Sequence, residues 1–395
     1  MSRWFQALLV LVLVLSAAGQ AAAGATFYGY IKLDASYDAT RTNDGNFAYI
    51  VLPYAEGEED DEFNMTAKQT RLGVKFDGPK SDSVDASGRI EFDFYGGGSE
   101  NKPNPMLRHA YLELKTKHVD ILAGQTSDVI SPIVPTTLNY IVLWKSGDVG
   151  YRRPQIRLSK ALKVADDAKL KLAVAATRSM GRGDDGETVG TPALQGRVAL
   201  AAKLFGEGAA EIGVSGLMGR EEATYASEAR GDETYELDQT CVAVDVTLPL
   251  GDMVALKGQY FTGKNLAQYL GGIGQGIAEV QTSGTEETRN VEPVEIEATG
   301  WWAQLTVTPT ESWQFNVGAG VDDPELPDGD TANDLEKNTT YYGNAIWQVA
   351  PSASIGVEYA MFETEYCVGG EEARAEGSTE SYENTRLQLS LTYKF

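Results

Sequence analysis

The last ten residues, Arg386 to Phe395, read RLQLSLTYKF. Leu387, Leu389, Leu391, Tyr393 and Phe395 take alternate positions, with Arg386, Gln388, Ser390, Thr392 and Lys394 between them. A period of two with one apolar and one polar face is the pattern of a half-buried strand. It runs up to an aromatic last residue. In lipid an unpaired strand edge cannot be left open, and closing a sheet on itself removes the edge. The feature therefore predicts more strands of the same kind, closed into a wall in which this one pairs with the first strand, at Thr26–Tyr37.

That pattern recurs. Leu72, Val74 and Phe76 alternate with Arg71, Gly73 and Lys75; Ile90, Phe92 and Phe94 with Arg89, Glu91 and Asp93; Ala110, Leu112 and Leu114 with His109, Tyr111, Glu113 and Lys115. Val198, Leu200, Ala202 and Leu204 against Arg197, Ala199, Ala201 and Lys203 continue it, as do segments at 297–308, 312–321, 338–349 and 352–365. About sixteen segments of roughly ten residues emerge, joined alternately by tight turns and long loops, as in a transmembrane antiparallel β-barrel. The fold class is thus all-β. Nineteen tyrosines and 42 glycines against 14 prolines suit aromatic girdles and polar loops. Mean hydropathy is negative, which argues against a bundle of spanning helices.

Residues 1–23 carry Arg3, an apolar run from Ala7 to Leu15 and the small residues Ala21-Ala22-Ala23. This is the layout of a signal peptide, which places residues 24–395 beyond the inner membrane and, with amphipathic strands, in a bacterial outer membrane. The net charge of −24 excludes a nucleic-acid-binding surface, which needs a basic face. Most of the acid falls in predicted loops: Glu56 to Glu62, Asp184-Asp185, Glu221-Glu222, Asp232-Glu233, Glu286-Glu287, Asp322-Asp323, Asp328 to Asp334 and Glu371-Glu372. Solvation accounts for such a rim, and divalent cations could also bridge it to lipopolysaccharide. No other cofactor is expected. Cys241 and Cys367 fit no zinc spacing, and a single disulfide or two free thiols both remain open.

With the apolar face toward lipid, the polar face is a pore wall. It presents Arg71, Lys75, Arg89, Glu91, Asp93, His109, Tyr111, Glu113, Arg157 and Arg197. Opposed charges in a water-filled channel focus the field and sort ions. Segment 126–153 breaks the strand pattern and is too apolar for an exposed loop, with Val129, Ile130, Ile133, Val134, Leu138, Ile141, Val142, Leu143 and Trp144. Folding into the barrel gives it something to pack on. It ends on Arg152-Arg153, with Arg157 following, and three guanidiniums at one height would prefer carboxylate or phosphate. Gly272-x-Gly274-x-Gly276 lacks the strand-to-helix setting of a dinucleotide site and reads as a flexible loop. Neither histidine has a serine–acid setting, so no enzyme is expected. A sheath around an electron-transfer complex and a purely structural barrel are the competing readings; more strands and no inward loop would favour the sheath.

The motifs LRHAYLEL (Leu107–Leu114), ILAGQTSD (Ile121–Asp128) and GDVGYRRPQIRLS (Gly147–Ser159), with the aromatic last strand, resemble the trimeric porins of Gram-negative bacteria, and more narrowly the DcaP-like porins. The barrel pattern covers nearly all of residues 24–395; the narrow motifs cover only about 107–159. The resemblance implies a sixteen-stranded homotrimer with a loop folded into each pore, and uptake of small anions, often dicarboxylates. It implies that Arg71, Arg89, Arg152, Arg153 and Arg157 line the selectivity wall. It also implies that Phe395 is presented to the barrel assembly machinery. The later acidic, glycine-rich loops match no family motif, which leaves the solute open.

Overall fold

A computed structural model describes residues 24–395 apart from 44, 56, 79–80, 100, 182–185, 207, 228–230, 284–289, 329, 331–333 and 368–377. The signal-peptide segment 1–23, Asp184-Asp185, Glu286-Glu287, Glu371-Glu372 and parts of the other acidic runs lie outside the described residues.

The chain is a closed antiparallel barrel of sixteen strands. In order these are β1 (Ala25–Asp38), β2 (Glu62–Thr66 continued by Arg71–Asp77), β3 (Val84–Asp93), β4 (Met106–Thr116), β5 (Asp120–Ser127), β6 (Arg152–Ala165), β7 (Ala168–Thr177) and β8 (Ala193–Lys203). The wall continues with β9 (Ala209–Ser227), β10 (Gly231–Leu250), β11 (Val254–Lys264), β12 (Glu297–Thr310), β13 (Trp313–Glu325), β14 (Leu335–Ala350), β15 (Ala353–Cys367) and β16 (Thr379–Lys394). The two pieces of β2 pair end to end along β1, which makes them one interrupted strand. On its other side β1 pairs with β16, from Tyr30 opposite Lys394 to Asp38 opposite Arg386. No open edge remains in the wall.

The alternation of the last strand sorts as its pattern requires. Leu387, Leu389 and Leu391 are exposed on the outside, while Arg386, Gln388 and Ser390 are buried inside. Arg386 donates to both Asp38 oxygens at 2.8 Å, and Gln388 donates to Asp34. Phe395 exchanges backbone hydrogen bonds with Gly29 at 3.2 Å, and its ring is half exposed.

Short turns lie at one end of the wall and the long connections at the other, the arrangement of an outer-membrane barrel. Several boundaries differ from those the sequence pattern predicts. β9 and β10 run far past 220 and 236 and form a protruding hairpin paired as far as Ser227 and Gly231. Glu221, Glu222, Asp232 and Glu233 are therefore strand residues and not loop residues. Asp322 and Asp323 lie within β13, and Asp322 is fully buried. Two of these acids are buried and find donors distant in sequence, Glu221 from Gln239 and Asn265 and Asp322 from Gly272 N–H, which the linear pattern cannot display.

Three long connections fold inward. The third, 128–151, crosses the lumen from β5 to reach the opposite wall. Leu138 and Asn139 donate backbone N–H groups to the Glu358 carboxylate at 2.7 and 3.1 Å. The Leu138 carbonyl accepts from Lys32 and Gln388, both at 3.0 Å. Asn344 donates to the Thr136 carbonyl and Asn338 to that of Lys145. Gly147 has φ +104°, and a Cβ there would stand 2.0 Å from the Trp301 carbonyl oxygen, so only glycine lets the loop lie this close to β12.

The sixth connection also enters the barrel. Leu266, Tyr269, Ile273 and Ile277 are buried. Lys145 N–H donates to the Leu270 carbonyl and Gly150 N–H to that of Tyr269. Gly272 N–H donates to Asp322 at 3.0 Å. The stretch 272–276 is thus packed inside the barrel, with Gly272 and Gly276 buried and Gly274 exposed. The first connection contributes Ala48, Tyr49 and Val51, held by Asn338, Thr364 and Tyr366. Cys241 and Cys367 are both buried and free.

Candidate functional site

The narrow region is formed where the third connection passes the inner face of β2–β6. Two carboxylates organise it. Glu91 accepts from Tyr28 at 2.8 Å and from Arg108 at 3.2 Å, and it also pairs with Arg89. Arg71 lies 3.5 Å and His109 Nε2 3.8 Å from the same carboxylate. Asp93 accepts from Arg108 at 2.6 Å and from Tyr140 at 2.9 Å. A carboxylate taken out of water costs several kcal/mol unless it is paired and hydrogen-bonded, on the order that these donors offset.

The layering of this cluster decides its electrostatics. The Glu91 and Asp93 side chains are 1% and 0% exposed, whereas Arg71 and Arg89 are 21% and 28% exposed. The acids lie underneath and the guanidiniums lie over them. Glu91 and Asp93 are therefore the foundation of the wall and not charges presented to a passing solute. The surface they leave is cationic.

Arg108 belongs to this layer although strict alternation puts it on the lipid side, in line with Ala110, Leu112 and Leu114. A register shift between Glu91 and Phe92 sets Glu91 opposite His109 and Phe92 opposite Leu107. Such a bulge turns the extra residue back toward the same face as its neighbour. Arg108 then reaches Glu91, Asp93 and the Tyr140 hydroxyl, with its guanidinium 5.6 Å from the Tyr140 ring centroid. An arginine predicted to face lipid is itself a sequence signal that the register breaks nearby.

The other predicted wall residues divide. Arg153 is 1% exposed and pairs with Asp128 at 2.8 Å, while its face covers the Tyr269 ring at 3.8 Å. It joins two inward connections to β6 and does not face a solute. Arg157 donates to Gln155 and to the Ser127 carbonyl. The three guanidiniums at 152, 153 and 157 therefore do not make one station. Arg152 Nη2 has no hydrogen-bond partner among the described residues, and the guanidinium rests against the rings of Tyr151 at 4.3 Å and Trp144 at 5.6 Å. His109 hydrogen-bonds Thr126 through Nδ1. Tyr111 is partly exposed on the same face. Lys75 lies 5.0 Å from the Tyr28 ring centroid, and Glu113 lies 3.4 Å from Lys115. Both are nearer the short-turn end of the wall. Arg197 sits apart, on β8, bound to Asp245 and Glu211.

Above the cationic layer stands a packed aromatic cluster. Phe47, Tyr95 and Tyr140 come together from the first connection, the end of β3 and the third connection, with Tyr95 and Tyr140 stacked at 4.1 Å. Trp144 and Tyr151 extend it at 6.2 and 5.2 Å steps. The cluster fixes the third connection against β2–β4 and so sets where the passage can run. Among the described residues no three His, Cys, Asp or Glu side chains are grouped to hold a metal ion.

The family model for Gram-negative porins matches residues 7–366 of the chain. No curated protein matches. Among solved structures, the outer membrane channel DcaP of Acinetobacter baumannii is similar with TM-score 0.70 and 22% identity, covering 95% of this chain and 98% of that one. OmpT of Vibrio cholerae in its trimer form is similar with TM-score 0.55 and 13% identity over 94% of this chain and 99% of that one. The anion-selective porin from Comamonas acidovorans is similar with TM-score 0.56 and 11% identity, again over 94% and 99%. At these identities the likenesses speak to the fold, a sixteen-strand barrel. The family match, extending over most of the length, shows that the chain belongs to the Gram-negative porins.

Proposed function

We propose that this porin is a passive outer-membrane channel that admits small hydrophilic anions, carboxylates among them, in preference to cations. The observation that carries this reading is the layering at the constriction. Arg71, Arg89 and Arg108 gather at two carboxylates that are almost wholly buried, with Arg71 and Arg89 the more exposed. In a narrow, poorly screened pore that excess of guanidinium attracts anions and repels cations. The exposed acids of the outer connections, such as Glu58 and Glu59, do not cancel it. Screening limits their reach to about 8 Å at physiological salt. A porin of similar fold that is anion-selective by name supports this reading.

The inward third and sixth connections argue for a selective channel over a sheath around another protein, which would need an open interior. The resemblance to trimeric relatives supports a homotrimer. Export by residues 1–23, assembly through Phe395, dicarboxylate solutes and contact of the acidic rim with lipopolysaccharide through divalent cations belong to the same proposal.

The test is the zero-current potential of the purified protein in a planar bilayer across a potassium chloride gradient. The expected sign is that of chloride permeating faster than potassium, with conductance steps in groups of three. A potential of the opposite sign would overturn the anion reading, and an absence of conductance would overturn the channel itself.

A further inference from the structure

We propose that the outer surface of β6–β10 carries a binding site for one phosphorylated, acylated lipid of the outer leaflet, with an acyl chain in an apolar groove and a phosphate at Arg178 and Arg220. This rests on the reading that divalent cations join the acidic rim to lipopolysaccharide, and it gives that contact a place on the barrel.

The groove lies on the lipid-facing side and has a volume of about 700 Å³. Ile156, Val174, Leu194 and Met218 form its walls and are 50–61% exposed. Gly196 and Gly216 lie in its floor. A Cβ added at either glycine would meet nothing closer than 3.8 Å, so the floor is open space. Ala176, Leu194, Met218 and Thr240 make one outward row across β7, β8, β9 and β10. Two residues further toward the long connections, the same alternation brings Arg178 after β7 and Arg220 on β9, with side chains 45% and 56% exposed. Two strand spacings separate them, about 10 Å across the wall. Outward residues change from apolar to charged at this row, which marks the boundary between membrane and water.

Hydrophobic burial cannot choose the occupant, because lipid tails are as apolar as the groove and any chain fills it. The choice must come from the headgroup. Arg178 lies 4.0 Å from Glu187, and Arg220 lies 2.8 Å from Glu236 and 3.7 Å from Asp238. Exposed pairs of this kind are weak and exchange readily. A phosphate offers a guanidinium two oxygens in its donor plane. Three carboxylates beside two guanidiniums leave an excess of negative charge, which a divalent cation shared between phosphate and carboxylate offsets. A second outward groove, of about 540 Å³ with Gly343 in its floor, lies on β11–β15. Strands β12–β15 contain no arginine, so that groove has no comparable phosphate site above it. A second copy of the chain could cover either groove; the charged row assigns the first to a lipid headgroup.

The experiment uses the full-length porin, freed of lipid in detergent and titrated with purified lipid A in the presence of magnesium. Native mass spectrometry counts the lipid bound per chain. Wild type is expected to saturate at one lipid A per chain, and chelating the magnesium should weaken binding about tenfold. Arg178→Gln with Arg220→Gln should weaken it about tenfold as well. Gly216→Leu fills the floor of the groove and should weaken binding to a similar extent. Gly343→Leu makes the same change in the second groove and should bind as wild type does. Single-channel conductance should match wild type in each variant, because these side chains point away from the lumen. If Gly216→Leu fails to assemble, the arginine pair decides. Equal binding by wild type and every variant that assembles overturns the site. A Gly216→Leu protein that loses its oligomer and keeps its lipid also overturns it, and assigns the groove to a second copy. Magnesium-dependent binding that no variant alters removes only this site, whereas no magnesium-dependent binding at all removes the rim reading with it.

Discussion

Arg71→Glu combined with Arg89→Glu is expected to turn an anion-preferring channel into a cation-preferring one. These two guanidiniums are the most exposed members of the layer above Glu91 and Asp93. Before the change, Arg71, Arg89 and Arg108 stand against two buried acids; after it, Arg108 alone of the three faces four carboxylates. Two unit charges about 4 Å apart interact by about 1 kcal/mol even at the dielectric of water, and more in a confined pore. Replacing two cations by two anions should therefore move the chloride-to-potassium permeability ratio by about ten- to a hundredfold. The zero-current potential in a salt gradient should change sign. The neutral pair Arg71→Gln with Arg89→Gln should fall between the two. A double reversal that assembles, conducts and keeps the wild-type potential would show that solutes do not pass this face.

The second large effect is expected from Glu358→Ala. The Glu358 carboxylate, on β15, accepts Leu138 N–H, Asn139 N–H and the Asn344 amide at 2.7, 3.1 and 2.9 Å. It is the point at which the third connection is fastened to the wall opposite its origin. Removing it leaves two backbone donors and one amide unsatisfied in a buried setting, at a cost of about 1–3 kcal/mol each. The inward connection can recover that cost by moving its tip into water. Single-channel conductance should rise about two- to threefold by the widening of a pore that this segment narrows, with added gating noise. Conductance and noise equal to wild type would show that the Leu138–Asn139 tip does not set the width. Lys32 and Gln388 still hold the Leu138 carbonyl and Asn338 that of Lys145, so the variant should loosen the tip rather than detach the segment.

Much of the wall was legible in the sequence because its constraint is local. A strand with lipid outside and polar groups inside must alternate, and Arg386, Gln388, Leu387 and Leu389 each lie where the alternation puts them. The inward course of the third connection was legible for a related reason, since Ile130, Leu138, Ile141 and Leu143 cannot remain in water together. The same reasoning applied to Leu266, Tyr269, Ile273 and Ile277 would have found the sixth connection, but glycines between them read as flexibility. The positive φ values at Gly272 and Gly274 explain why glycine is there: it permits tight turns in a buried segment.

The constriction was only half legible. Residue type and alternation indicate Arg71, Arg89, Glu91 and Asp93. They do not show that the acids lie beneath the arginines, because burial within one face depends on the segments packed over it. Arg108 was hidden by a bulge that changes the face of one residue without altering the composition of the strand. Arg153 could not be told from Arg152 in sequence. One meets Asp128 and the other meets the rings of Tyr151 and Trp144, a difference made by where the third connection returns to β6.

The measurement closest to the central claim is the location of ions in crystals of the purified porin soaked separately in bromide and in rubidium salts. Anomalous scattering should place bromide against the guanidiniums of Arg71 and Arg89, with no rubidium at Glu91 or Asp93. Rubidium bound at Glu91 and Asp93, with no bromide along the arginine face, would contradict a cationic constriction built over buried acids.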